Sequence, residues 1–195
     1  MSHRKESFGQ SHKSVLDKLI AYVRISKIKK YIPVGSKILD LGCGYNGELL
    51  TDLSSILQSG VGVDLSVNPK YSNEMVKLST GRVDHKLPFP DKSFDVVSAL
   101  AIIEHVDDPD MMLHEMLRVL RPGGLVLITT PSLAGKLPLE IMARLGIISD
   151  AEISDHKRYY TRQTLADAIK GAGLRSVKVR HFGIMYLNLF GIAKR

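Results

Sequence analysis

An acid followed by three glycines, in Asp40-Leu41-Gly42-Cys43-Gly44-Tyr45-Asn46-Gly47, is the stretch of this chain whose residue types and spacing most nearly prescribe a chemistry. Gly42, Gly44 and Gly47 satisfy GxGxxG, and residues 36–41 read as an apolar strand leading into it. Missing side chains let such a loop turn tightly and bring its backbone against a ligand lying over the start of the next helix. Asp40 falls at the carboxyl end of the strand, where a dinucleotide would lay its pyrophosphate. A fixed negative charge there repels pyrophosphate and favours an ammonium or a sulfonium. The competing reading is an Asp that only caps the turn. Gly60-Val61-Gly62-Val63 reads as a second strand and ends in Asp64, at the distance from the central glycine expected of a carboxylate that accepts ribose hydroxyls.

Candidates for acceptor-side chemistry come later in the chain. Glu104 and His105 follow an expected strand over residues 94–100, at the sheet edge where open α/β folds bind ligands. They read either as reacting groups or as a closure of the strand that caps the loop toward the next helix, the second reading being preferred for the pair. His156 stands in Ile153-Ser154-Asp155-His156-Lys157-Arg158-Tyr159-Tyr160. A neutral histidine beside Asp155 suits a base or an anchor, and Lys157 and Arg158 suit a phosphate or carboxylate. The tyrosines equally suit a loop that only packs on the sheet edge.

Positioning these groups takes alternating strands and helices. Residues 14–32 carry apolar side chains at helical spacing and stop at Pro33 and Gly35, an entry helix. Residues 48–57 and 110–120 read as crossover helices, the second opened by Asp107, Asp108 and Asp110 as cap candidates. Between Asp64 and Leu87 the pattern weakens to a reduced crossover, in which residues 75–78 fit strand or helix. Leu120-Arg121-Pro122-Gly123-Gly124 reads as a helix-stopping turn before a strand over 125–130. Residues 131–150 are too apolar for a solvated loop and read as a helical lid over an acceptor pocket or as core packing. Residues 161–171 read as a helix, and 174–182 and 184–192 as two strands around Gly183. Such alternation implies a parallel sheet with right-handed crossovers.

Together, ILDLGCG, VGVDLS, LPFPDKSFDVV, IEHV and RVLRPGG resemble the class I S-adenosylmethionine-dependent methyltransferases of the small-molecule, domain-11-like type, over residues 36–131. The resemblance implies an α/β fold: a single Rossmann-like doubly wound sheet of about seven strands, mostly parallel with one antiparallel strand near the C-terminus, and helices on both faces. It implies S-adenosyl-L-methionine as cofactor, with Asp40 and the Gly42 and Gly44 backbone facing its methionine part. Asp64 would take the ribose hydroxyls, Asp84 the adenine amino group, and Leu87 would flank the ring. A sulfonium methyl is already activated, so the protein's tasks are alignment, exclusion of water and removal of a proton, and no metal is expected.

Composition bounds the rest. At 195 residues with 44% hydrophobic content the chain can bury one core, read as a single methyltransferase domain over 1–195: entry helix 1–35, cofactor core 36–131, lid and acceptor segment 132–160, closing helix and strands 161–195. The single cysteine, Cys43, excludes a disulfide within one chain and fits a reducing cytoplasm. Residues 1–14 are polar, unlike a signal peptide, and the apolar tract over 182–193 is broken and too short for stable membrane insertion. A net charge of +7 with a pI near 9.5 raises nucleic acid as a partner. Solvated faces explain the charge as well, and the chain lacks both the proline-rich motif of base amino methyltransferases and a second cysteine outside the glycine loop for C5 chemistry, so a small-molecule acceptor is expected. A nicotinamide-dependent oxidoreductase and a non-catalytic cofactor-binding module stay open as alternatives. The acceptor, the methylated atom and the oligomeric state are not legible.

Overall fold

The computed structural model describes residues 15–148, 150–183 and 186–195. Its seven strands form one sheet in the order β3-β2-β1-β4-β5-β7-β6. β1 (Lys37–Leu41), β2 (Ser59–Asp64), β3 (Val76–Thr80), β4 (Phe94–Leu100) and β5 (Leu120–Pro131) pair in parallel. β7 (Asn188–Lys194) runs antiparallel to both β5 and β6 (Arg175–Phe182), and is the expected antiparallel strand.

Both faces of the sheet are apolar, because successive side chains of a strand point to opposite sides. Val126 and Ile128 enter one core cluster and Leu127, between them, the other. The first cluster is covered by α3 (Pro109–Val119) and α6 (Arg162–Gly171) through Met112, Met116, Leu165 and Ile169. The second takes Ile28 from α1 (Val15–Lys29) and Leu49, Leu50 and Leu53 from α2 (Glu48–Leu53). Sequence signals start these helices: the Asp108 carboxylate accepts the Met111 N–H at 2.8 Å ahead of α3, and Thr161 and Thr164 form a capping box on α6.

Three expectations shift in detail and one is resolved. α2 ends at Leu53 rather than residue 57, since residues 54–58 turn the chain back, with Gly35 N–H donating to Ile56 and Gln58 N–H to Ser36. The crossover between β2 and β3 is indeed reduced, to a 3₁₀ turn over Pro69–Tyr71, and the ambiguous residues after it are strand. Leu120 already pairs with Phe94, and the register then jumps to Val96 opposite Leu125. The expected turn is therefore a bulge inside β5, with Gly123 at φ +78° and the Arg121 guanidinium on Asp95 at 2.8 Å. β7 begins at Asn188, residues 184–185 of the expected strand lying outside the described residues, as does residue 14 of the entry helix.

The segment over 132–160 holds α4 (Lys136–Arg144) and α5 (Asp150–Ser154). Leu139, Ala143 and Ile148 form a third apolar cluster with Leu16 and Ile20 of α1, Met142 and Ile153, apart from the two sheet-face clusters. Among the described residues no helix is long and apolar enough to cross a membrane.

Candidate active site

The strand order reverses between β1 and β4, and ligands of open α/β sheets bind beyond the carboxyl ends of the strands at such a point. Here β1 runs into the glycine loop. Gly42 and Gly44 hold φ of +72° and +74°, and a Cβ on Gly42 would lie 2.7 Å from Ile102 Cγ1. Only glycine lets the loop pass that close to the end of β4. The Gly44 N–H donates to Asp64 Oδ2 at 2.8 Å and the Leu65 N–H to Asp64 Oδ1 at 2.7 Å, so the end of β2 clamps the loop. A carboxylate offers about four acceptor positions, room for ribose hydroxyls as well as two amides.

Asp40 is 2% exposed and accepts the Ser98 hydroxyl of β4 at 2.7 Å. Burial pushes its carboxyl up to about 7; the Ser98 hydrogen bond works against this and the neighbouring Asp64 charge adds to it. Burial, and then Asp40 and Asp64, push the Cys43 thiol far above its usual range, which leaves it an inert small residue of the turn.

Asp84 is placed near Asp64, in a side cavity of about 90 Å³ that also takes in Gly42, Leu65, Val83 and Ile102. Its carboxylate is occupied by its own neighbours. Oδ1 accepts from Arg82 Nε and lies 3.0 Å from His85 Nδ1, while Oδ2 accepts from the Arg82 guanidinium and the Asp107 N–H. Burial alone would raise this carboxyl, but these partners, Arg82 first, hold it well below the usual carboxylate range. Leu87 lies in the core, its N–H donating to Glu115, and lines neither this cavity nor the main one; Leu65, Val83 and Ile102 stand where an adenine flank would be needed.

The main cavity, about 260 Å³, runs from Asp40, Gly42, Gly44 and Asp64 to Glu104, His105 and His156, beneath Ile20 of α1 and Met142 of the lid. Glu104 and His105 come from the loop after β4, which Ala101 redirects with φ +51°, a conformation rare for a residue with a Cβ. His156 comes from the segment after α5. The two loops are tied together: Lys157 N–H donates to Glu104 O at 2.9 Å, Arg158 to the carbonyls of Val106 and Asp107, and Lys157 Nζ to Asp107 Oδ1 at 2.5 Å. Lys157 and Arg158 are thus loop anchors rather than the anion holders that their charge suggested. Asp155 sits 3.1 Å from His105 Nδ1, while His156 Nδ1 lies 3.0 Å from the Tyr159 hydroxyl.

The two imidazoles approach to 4.8 Å between centroids. Glu104 is fully buried, and neither carboxylate oxygen has a hydrogen-bond partner. A capping role for it therefore has no acceptor contact behind it. Residues the motifs did not mark also reach the cavity: Asp17 and Arg24 on α1, and Asn188 at the start of β7. The first two were signalled by charges seven residues apart on an otherwise apolar helix face. Ser98 carried no signal, because its partner Asp40 is 58 residues away.

The family model for a methyltransferase domain matches residues 13–179. A Mycolicibacterium smegmatis protein named as a probable S-adenosylmethionine-dependent methyltransferase is 31% identical over 164 residues, covering 76% of this chain and 61% of the relative. A ubiquinone biosynthesis O-methyltransferase of Klebsiella pneumoniae is 32% identical over 111 residues, covering 52% of this chain and 45% of its own length. The chain thus spans about half to three fifths of these two relatives. An S-adenosylmethionine-dependent methyltransferase from Mesorhizobium loti superposes with a TM-score of 0.70 at 17% identity, over 87% of this chain and 96% of that one, a likeness of fold.

Proposed function

The chain belongs to the methyltransferase-domain family, and from that premise we propose that it moves a methyl group from S-adenosylmethionine to a hydroxyl of a small acceptor with an apolar body. One observation carries the reading: a single cavity joins the acids and glycines at the ends of β1 and β2 to the Glu104, His105 and His156 cluster. When bound, the cofactor supplies an electrophilic methyl on a sulfonium.

The residues present fit that group. Asp40 puts a buried carboxyl beside the glycine loop, where a cationic ligand draws it into its charged form. Asp64 receives the ribose hydroxyls while its clamp on Gly44 keeps the loop amides turned inward. The side cavity takes the adenine between Leu65 and Ile102; Asp84, already engaged by Arg82, shapes its rim through the Asp107 N–H. Gly42, whose missing Cβ makes room for Ile102, would let the cofactor lie close to the loop backbone in the cavity that Glu104 and the histidines also line.

On the acceptor side, Ile20, Leu139, Met142, Ile153 and Phe182 line the cavity and take the apolar body, excluding water from the reacting atoms. The hydroxyl oxygen lies against His156 and Glu104. With the cofactor bound, the oxygen would form its bond to the methyl carbon as the carbon–sulfur bond breaks with its electron pair left on sulfur, and this trio would take the hydroxyl proton. A cavity of this size admits a small molecule, and the likeness to the Klebsiella O-methyltransferase supports a hydroxyl acceptor.

Calorimetric titration with S-adenosylhomocysteine and with NAD, followed by methyl transfer from labelled S-adenosylmethionine to a panel of apolar phenols, alcohols and amines, tests the proposal. Homocysteine-form binding, no NAD binding and labelled phenol or alcohol are expected. NAD binding at micromolar concentration would favour an oxidoreductase, and cofactor binding with no transfer to any acceptor class a binding module.

A further inference from the structure

We propose that Glu104, His105 and His156 hold one divalent transition-metal ion, and that its open coordination positions face the acceptor. Each of these residues offers a ligand atom, and the three atoms lie within 4.8 Å of one another. Two donors on one ion at about 2.1 Å each stand up to about 4.2 Å apart, so the trio needs only a slight closing to share an ion.

The strongest sign is Glu104. A carboxylate that is 0% exposed and has both oxygens without a partner is costly unless something positive meets it. The imidazoles of His105 and His156 lie within reach of it, and Lys157 and Arg158, on the loop tied to it, are committed to Asp107 and to backbone carbonyls. A dication fits the vacancy in charge that the fold leaves.

The outer partners are arranged as metal sites require. A proton on His105 Nδ1 donated to the Asp155 carboxylate, and one on His156 Nδ1 donated to the Tyr159 oxygen, put the lone pair of each ring on Nε2. A carboxylate behind a histidine fixes its tautomer and raises its basicity as a ligand. Two nitrogens and one oxygen suit zinc, iron(II), cobalt(II) or manganese(II) better than magnesium or calcium, which prefer all-oxygen shells. Three protein ligands leave positions open, the pattern of a reactive rather than a structural site.

This deepens the methyl-transfer reading and rests on it only for the ligand in those positions. The acceptor is then a molecule whose hydroxyl oxygen binds the ion, which lowers the hydroxyl's pKa so that its proton is lost to water on coordination. The histidines become ligands instead of bases, and the expectation of metal-free transfer is replaced.

Cobalt(II) titration of the purified full chain, read by visible d–d absorption, decides the matter, with zinc as competitor. The wild type should take up one equivalent, displaced by zinc. Glu104→Gln and His156→Ala should each weaken cobalt binding at least roughly tenfold, and Asp155→Asn by about tenfold. S-Adenosylhomocysteine affinity should stay unchanged in all three, which shows that the fold and the cofactor end are intact; if one variant loses it, the others decide. A wild type with no cobalt spectrum at millimolar ion, or wild-type affinity in both ligand variants, overturns the site. Cobalt binding without homocysteine-form binding would leave the metal site standing and remove the methyltransferase reading.

Discussion

The cofactor end and the acceptor end of the cavity are built on opposite plans. Around the glycine loop each carboxylate is already engaged by groups of the fold: Asp64 holds Gly44 and Leu65, Ser98 holds Asp40, and Arg82 holds Asp84. At the acceptor end the polar groups come from two loops about 50 residues apart, and one of them, Glu104, has no partner. The first plan is complete before a ligand arrives. The second is a set of donors waiting for one. A shared cofactor needs a fixed mould, whereas the acceptor needs a site whose chemistry is supplied only when it is filled.

The largest effect that would break this contrast is expected at Asp64. Asp64→Ala removes a charged acceptor of two ribose hydroxyls, each hydrogen bond worth roughly 1.5–3 kcal/mol, and releases Gly44. S-Adenosylhomocysteine affinity should fall by about a hundredfold or more in calorimetry, with the circular dichroism spectrum intact; an unchanged affinity would mean that the end of β2 does not touch the ribose.

His156→Ala works at the other end. Single-turnover methyl transfer, once an acceptor is assigned, should slow by about a hundredfold while cofactor affinity stays at the wild-type value, as for loss of a group that acts at the acceptor hydroxyl and not at the cofactor. Full activity would show that the loop only packs.

Asp40→Asn sharpens the comparison through pH. The carboxyl is raised to about 7 in the fold by burial, with Ser98 opposing and Asp64 reinforcing, from an ordinary value of 3.8. Stability from this group is therefore fully present below the ordinary value and is lost as pH rises through about 7. The variant should accordingly be more stable than wild type at about pH 8, by roughly 1–3 kcal/mol in urea unfolding, and should lose that advantage near pH 4. Its affinity for S-adenosylmethionine should fall, and the rise in wild-type affinity between about pH 6 and 8 should flatten. An affinity equal to wild type at every pH would separate Asp40 from the cationic end of the cofactor.

The smallest effect belongs to the backbone. Ala101 holds φ +51° at the end of β4, and glycine in its place relieves a strain of about 1 kcal/mol. Ala101→Gly should leave stability within about that amount of wild type, whereas Ala101→Val, β-branched, should lower the melting temperature by several degrees.

What was legible in the sequence divides along the same line. The glycine loop, Asp64 and strands β1, β2 and β4 were readable because apolar runs and turn residues act within a few positions of one another. The caps at Asp108 and Thr161 were local too. That β5 already begins at Leu120 was not, since it depends on pairing with Phe94, 26 positions away. Lys157 and Arg158 looked like anion binders because their partners, Asp107 and the Val106 carbonyl, lie about 50 positions away. The swap that gives Asp155 to His105 and Tyr159 to His156 is likewise a product of folding two loops together.

The third apolar cluster has a kinetic consequence. Leu16 and Ile20 of α1 pack with Leu139, Ala143 and Ile148, so the entry helix and the lid share one small seam above the cavity, while the sheet's own clusters lie beneath. Parting that seam costs little buried area compared with opening a sheet face, and Leu16, Ile20, Leu139 and Ile148 on it line the cavity. Amides of α4 should then exchange with solvent through subglobal openings well below the global unfolding energy, and a bound product should slow them more than any amide of β1 or β4. Turnover would be paced by this opening, and mutations in the seam would change the off-rate of spent cofactor without touching a polar group.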